Sequence, residues 1–313
     1  MRYYYAPMEG ITDATFRRFH HKYFPGVDKY FMPFISPTIH RTLTHREARE
    51  LPRADSVDFA AVPQLLGKNV EDMLWAVAVC ADLGYDEVNI NLGCPSGTVV
   101  SKGKGSGMLS DLDALDSFLE AIYAKAVLPV SLKTRIGVND SENWERILEI
   151  YRRYPVKELT VHPRIRKAFY KGDCDLTAFA QAVDNSPFPV CYNGNVYSLA
   201  DAEAIAARFP TVESVMIGRG LVADPGMLAG STDRQTLKVF LSELSDTYCI
   251  VFESKRNAIY RMKDNWHYLI SLFEGSDKLW KEMRKSTDYD RFMAIANEII
   301  TTLPMRTHPE ISW

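Results

Sequence analysis

Along the first two thirds of the chain, stretches of apolar–polar alternation are each followed by a helical pattern. The sharpest alternation is at 86–95, where Val88, Ile90 and Leu92 interleave with Glu87, Asn89 and Asn91, the period of a strand. It stops at Gly93-Cys94-Pro95. Gly93 admits backbone that bulkier residues avoid, and Pro95 cannot continue strand pairing. Further strands are predicted over 3–8, near 29–35, and over 59–66, 129–135, 158–162, 189–192 and 212–217. Between them, Thr12 or Asp13 caps a helix to Phe24, and Asn69 caps one that Gly84 ends. Helices also fit 111–125, 141–153, 178–183 and 200–208.

Eight strands alternating with helices predict an α/β fold, a (β/α)8 TIM barrel. After Asp224-Pro225 the alternation ends, and helical periodicity takes over in segments near 234–245, 247–273, 277–285 and 288–301. The expected organisation is a barrel over 1–230 and a small helical domain over 231–313, divided near Gly230-Ser231.

In a parallel barrel, ligands bind at the carboxyl ends of the strands. Gln64, Asn89, Asn91, Cys94, Lys133, His162, Asn193 and Arg219 all fall at or just past such ends. Capping or turn duty explains any one of them, but their concentration on one rim points to a shared site. A glycine-rich loop from Gly97 to Gly107, with Lys102 and Lys104, is expected to be a mobile cover. Taken alone, Cys94 stands open between a packed small hydrophobe, as expected for Cys80 and Cys249, and a functional thiol.

Composition narrows the class. The 313 residues are 46% hydrophobic and 25% charged, as in an ordinary globular protein. The start, Met1-Arg2-Tyr3-Tyr4-Tyr5, lacks the apolar core of a secretory signal, and no long apolar run suggests a membrane span. Five cysteines without a CxxC pair point away from zinc and disulfides, towards a reducing cytoplasm. His162 has no neighbouring His or carboxylate at ligand spacing, so no metal is expected. A net charge of −3 still allows a local basic patch for nucleic acid.

The rim residues suit a particular ligand chemistry. Gly218-Arg219-Gly220 after the eighth strand offers backbone N–H groups and a guanidinium to a phosphate. Lys133 can stabilise negative charge on a conjugated ring, and the Gln64 amide can pair with a ring carbonyl and N–H. These are the needs of a reduced flavin. In the tail, Lys255, Arg256, Arg261, Lys263 and His267 lie among Tyr260, Trp266 and Tyr268. That pattern fits either a solvated charged face or a surface for a polyanion with exposed bases. A basic and aromatic loop also runs from Ile165 to Gly172.

Ala6-Pro7-Met8-Glu9-Gly10-Ile11-Thr12-Asp13, Asn91-Leu92-Gly93-Cys94-Pro95, Lys133-Thr134-Arg135, His162-Pro163-Arg164, Asn193-Gly194 and Gly218-Arg219-Gly220 occur in the order seen in tRNA-dihydrouridine synthases. The chain resembles that family across the barrel, and Arg261-Met262-Lys263 with Trp266 resembles its tail motif. The resemblance implies FMN as cofactor, NADPH as reductant and particular tRNA uridines as substrate. Hydride would pass from flavin N5 to uracil C6, with Cys94 as the general acid towards C5. Pro7, Met8, Gln64, Lys133, His162, Asn193, Gly194, Gly218 and Arg219 resemble the FMN-binding positions. Asn89 and Asn91 would hold the uracil edge with Arg164 nearby, and Lys255, Arg256, Arg261 and Lys263 would meet tRNA. The target uridine would be extruded into the pocket. A cytoplasmic monomer is expected. Asn195, Pro163 and Gly97 depart from the family pattern. Two rival readings are a flavin barrel acting on a small molecule and a non-catalytic flavin-bearing RNA-binding module.

Overall fold

The computed structural model describes residues 1–310, so the last three residues of the expected helical domain lie outside the described residues. Nine parallel strands form one sheet. They are β1 (Arg2–Tyr5), β2 (Lys29–Phe31), β3 (Ala61–Val62), β4 (Gln64–Leu65), β5 (Val88–Leu92), β6 (Val130–Arg135), β7 (Leu159–His162), β8 (Val190–Asn193) and β9 (Ser214–Ile217). Their order is β3-β2-β1-β9-β8-β7-β6-β5-β4. The two ends of that order are neighbours in sequence, separated by Pro63 alone. Proline has no N–H for the ladder, so the strand expected over 59–66 is split. One half pairs with β2 (Tyr30↔Ala61) and the other with β5 (Gln64↔Asn89). A bridge between Ile35 and Leu65 helps close the ring into a (β/α)8-type barrel. Tyr4, Ala6, Phe31, Val62, Cys191 and Met216 form a buried cluster in its core.

The helices are α1 (Ala14–Tyr23), α2 (His45–Glu50), α3 (Val70–Asp82), α4 (Gly97–Val100), α5 (Leu112–Lys125), α6 (Trp144–Tyr151), α7 (Leu176–Asn185), α8 (Leu199–Arg208), α9 (Arg219–Ala223), α10 (Arg234–Val251), α11 (Lys255–Leu269), α12 (Asp277–Lys285) and α13 (Tyr289–Thr302). Their caps follow local chemistry. Asp13, Asn69 and Asp111 each accept a first-turn N–H, from Phe16, Asp72 and Ala114. α7 begins earlier than expected because Asp175 accepts from Thr177 and Ala178 N–H. In the tail, α10 runs on to Val251. The break falls at Phe252-Glu253, where Glu253 takes φ +50° and Ser254 caps α11.

The chain divides into two compact units. One comprises Met1–Pro7, Asp28–Asn195 and Glu203–Met216, and contains the barrel strands. The other comprises Met8–Val27, Val196–Ala202 and the described residues from Ile217 on, and is mostly helical. α1 therefore groups with the tail. Phe240 on α10 packs edge-on against Phe16 and Phe24, with centroids 5.9 and 5.1 Å away. Asp13 accepts from Tyr248 Oη (3.1 Å) and faces Arg261 Nε at 3.4 Å. Among the described residues, no helix is long and apolar enough to cross a membrane.

Candidate active site

In the barrel unit the strand ends bring polar side chains together in a directed chain. β4, β5 and β6 pair so that Gln64 sits opposite Asn89, and Asn89 opposite Ser131. Burial alone would raise the Glu87 carboxyl, but Lys157 (2.8 Å) and Lys29 (3.0 Å) hold it below its ordinary value. An ionised carboxylate only accepts, so Ser131 Oγ donates to Glu87 (2.8 Å) and accepts from Asn89 Nδ2 (3.0 Å). Asn89 Oδ1 then accepts from Gln64 Nε2 (2.8 Å), and Gln64 Oε1 from Asn91 Nδ2 (2.7 Å). Asn91 Oδ1 is left facing the N–H groups of Gly93 (3.0 Å) and Cys94 (2.8 Å). One buried charge thus orients three amides as far as the cysteine. Asn89 and Gln64 are fully buried, and Asn91 is 8% exposed.

The Gly93-Cys94-Pro95 backbone is held at each polar atom. Besides the two N–H groups, Gly93 O accepts from Arg135 Nε (2.9 Å), Cys94 O from Ser106 Oγ (2.8 Å) and Pro95 O from Arg166 Nε (3.3 Å). The expected cover loop is a brace in its second half: Gly105–Ser110 forms a 3₁₀ turn and Ser106 is fully buried. The demand for glycine also lies there. A Cβ on Gly93 would rest 3.4–3.6 Å from the β6 backbone, which is ordinary contact. Gly105 has φ +56°, and its Cβ would stand 3.0 Å from Cys94 Cβ.

Burial pushes the half-buried Cys94 thiol above its ordinary value, opposed by the Ser96 backbone and by the positive charges of Arg135 and Lys133. At neutral pH it is a thiol rather than a thiolate. Lys133 Nζ donates to Asn193 Oδ1 (2.6 Å), and Asn193 Nδ2 to Met216 O (2.8 Å). Burial, then the nearby Arg135 charge, pushes the Lys133 ammonium down to about 8. The unfolded chain therefore binds more protons between pH 8 and the ordinary 10.5, and stability rises with pH across that window. In the apoprotein, Lys133→Met should gain stability over wild type below pH 8, and the gain should shrink towards pH 10.5. Urea unfolding at stepped pH checks this; a difference constant across the window would refute the shift.

His162 and Arg164 pair directly, Nε2 to Nη1 at 3.0 Å. A guanidinium only donates, so Nε2 is the acceptor in this pair. Arg164 is 3% exposed, donates also to Gly172 O, and leaves its buried Nε–H without an acceptor among the described residues. Gly194 has no space for a side chain, since a Cβ would lie 2.5 Å from both Cys174 Sγ and Tyr192 Oη. Pro7 also lies in this unit.

Met8, Gly218, Arg219 and the tail cations belong to the helical unit. Met8 N–H donates to Thr12 Oγ1 (2.9 Å). The Arg219 guanidinium lies 5.3 Å from the Tyr197 ring centroid, and a Cβ on Gly220 would collide with Val196 O at 2.3 Å. Arg261 faces the buried Asp13, and Lys263 Nζ donates to Ser286 O (2.6 Å), so both have structural partners. Lys255 and Arg256 are exposed, Lys255 facing Asp290 at 3.8 Å and Arg256 Nε donating to Tyr260 Oη (3.2 Å).

Sequence reasoning left Arg135, Ser106, Ser131 and Glu87 without roles. Ser131, Lys133 and Arg135 share one face of β6 by alternation, which was the available signal for two of them. A polar cleft of about 480 Å³, lined by Asp111, Asp113, Asp140 and Arg146 among others, opens beside the β6–α6 connection and touches none of the expected site residues.

Comparison with known proteins adds to this geometry. The dihydrouridine synthase (Dus) family model matches residues 4–302. A probable tRNA-dihydrouridine synthase of Rhizobium leguminosarum bv. phaseoli is 32% identical over 235 residues, 73% of this chain and 72% of that protein. tRNA-dihydrouridine synthase B of Pasteurella multocida is 28% identical over 225 residues, covering 72% and 67%. Among solved structures, a variant of NCR from Zymomonas mobilis aligns with TM-score 0.51 at 13% identity, over 78% of this chain and 87% of that one, a likeness of fold.

Proposed function

The chain belongs to the dihydrouridine synthase family, and from that premise we propose that it reduces particular uridines of tRNA to 5,6-dihydrouridine, with FMN as cofactor, NADPH as reductant and Cys94 as general acid. The observation that carries this reading is the placement of Cys94 on a backbone tied by Asn91, Arg135 and Ser106; burial, which raises the thiol, agrees with a proton held there at neutral pH. The residues fit the cofactor. Lys133 is a depressed ammonium bonded to a neutral amide, and Arg164 keeps a buried donor without an acceptor among the described residues. Both suit a ligand rich in carbonyl and phosphate oxygens.

When bound, FMN would supply the hydride that adds at uracil C6. Cys94 gives the proton at C5: the S–H bond breaks as C5–H forms, and the thiolate left behind is stabilised by Lys133 and Arg135. Pro7, Met8, Gln64, Lys133, His162, Asn193, Gly194, Gly218 and Arg219 would hold FMN. Asn89 and Asn91 would hold the uracil edge with Arg164 nearby. Residues 1–230 would catalyse and 231–313 would hold tRNA through Lys255, Arg256, Arg261 and Lys263. The enzyme would act as a cytoplasmic monomer without a metal.

The test is mass spectrometry of unmodified tRNA after incubation with protein, FMN and NADPH. A gain of two hydrogens at one uridine supports the reading. NADPH oxidation with unchanged tRNA favours a small-molecule reductase, and tRNA binding without reduction favours a non-catalytic module.

The tail cations should separate by partner. Lys255→Ala with Arg256→Ala should weaken tRNA binding and flatten the log–log salt slope by about 2, leaving flavin bleaching by NADPH unchanged. Arg261→Ala should in addition cost about 1–3 kcal/mol of stability, because the buried Asp13 loses its charged neighbour. Binding titrations at several salt concentrations and urea midpoints read the two effects. Wild-type affinity in the double variant would make Lys255 and Arg256 a solvated face.

A further inference from the structure

The loop from Ile165 to Gly172, following β7, holds an aromatic residue in a conformation that suits glycine. Lys171 N–H donates to Ala168 O (2.9 Å), closing a four-residue turn. Its second residue is Phe169, at φ +50° and ψ −102°. That is the first central position of a type II′ turn, where glycine is the default, and a phenylalanine there strains the backbone. Burial does not compensate, since Phe169 is 44% exposed.

The surroundings hold the turn in place. Arg135, 1% exposed, donates Nη1 to Ile165 O (3.1 Å) and Phe169 O (2.7 Å), while its Nε takes Gly93 O (2.9 Å). One guanidinium thus anchors both the Phe169 turn and the Cys94 loop. Arg166 and Lys167 N–H donate to Gly137 O and Val138 O, and Tyr170 lies over His162 with centroids 6.1 Å apart. Arg166 stands 5.5 Å from the Phe169 ring centroid, and Lys167 and Lys171 are exposed beside it, with Asp173 the nearest acid in sequence. A strained, exposed ring among cations on an anchored turn is what unpaired nucleic acid recognises: a face for a base and charges for its phosphates.

We infer that Phe169 is a stacking platform for a tRNA nucleotide adjoining the uridine presented to Cys94, with Arg166, Lys167 and Lys171 on the neighbouring phosphates. The inference rests on the tRNA reading above and adds a substrate contact in the barrel unit.

Phe169→Gly in the holoenzyme removes the ring and relieves the turn together. The thermal midpoint should stay or rise, tRNA affinity should fall roughly five- to hundredfold, and NADPH should bleach the flavin at the wild-type rate. Phe169→Trp should keep affinity, and its added indole emission should be quenched by tRNA. Unchanged tRNA affinity in Phe169→Gly overturns the inference. So does a lowered midpoint, which makes the ring a packing residue. Slowed bleaching with intact tRNA affinity also overturns it, assigning the ring to the nicotinamide instead. The mass measurement on wild-type enzyme reports separately on the tRNA reading, and its failure would remove the inference as well.

Discussion

In Cys94→Ala, oxidation of the NADPH-reduced holoenzyme by unmodified tRNA is expected to slow about 10²–10⁴-fold, the usual contribution of a general acid. Bleaching of the flavin by NADPH should proceed at the wild-type rate, because the alanine leaves the backbone ties from Asn91 and Ser106 intact. Cys94→Ser should be nearly as slow, since a hydroxyl is far less acidic than a thiol near neutral pH. The pH profile carries the sign. Burial raises the thiol above its ordinary 9.0, so the proton is present throughout the neutral range and is lost only as pH climbs past that value. The wild-type rate should therefore be level from pH 6 to 7 and fall in alkali, where Lys133 loses its charge at about 8, before the thiol titrates. Stopped-flow absorbance measures all three. Wild-type rates in both variants would mean that another group supplies the proton.

Arg135→Ala is expected to cost about 3–5 kcal/mol of stability, at the upper end for single substitutions. Its side chain is buried and serves the carbonyls of Gly93, Ile165 and Phe169, which belong to two separate loops. Each part-buried carbonyl left without its donor adds its own penalty. Arg135→Lys should recover only part of the loss, because a point ammonium cannot span the fork that meets all three. The urea midpoint reads the stability. The rate of Cys94 alkylation reads the loop, and it should rise when Gly93 O is released. A loss under about 1 kcal/mol would mean that the loops hold themselves.

Features whose causes are local could be read from the chain. Alternation in 88–92 announced β5, and Asp13, Asn69 and Asp111 announced their helices, because a cap acts within one turn. The recurrence of such units announced the barrel, and strand ends announced its rim. Local chemistry was also misjudged in places. The strand over 59–66 breaks at Pro63, and α7 starts at the Asp175 cap, both signals present in the sequence. Gly93 looked like a backbone necessity, yet the glycine that Cys94 requires is Gly105, which approaches it from a later turn.

Partners distant in sequence could not be read. Alternation along β6 puts Ser131, Lys133 and Arg135 on one face, but not the carboxylate, amide and carbonyls they meet. The direction of the Asn89–Gln64–Asn91 chain follows from the charge on Glu87, and only the register of three strands connects them. The tail helix pattern showed a basic face. It could not show that Arg261 faces Asp13, or that Lys263 reaches Ser286, while Lys255 and Arg256 stay exposed. Periodicity, caps and turns are energies of neighbouring residues and are written in the order of the chain. A buried polar atom must find its partner wherever packing brings one, so the roles of Glu87 and Arg135 came into view only with the folded molecule.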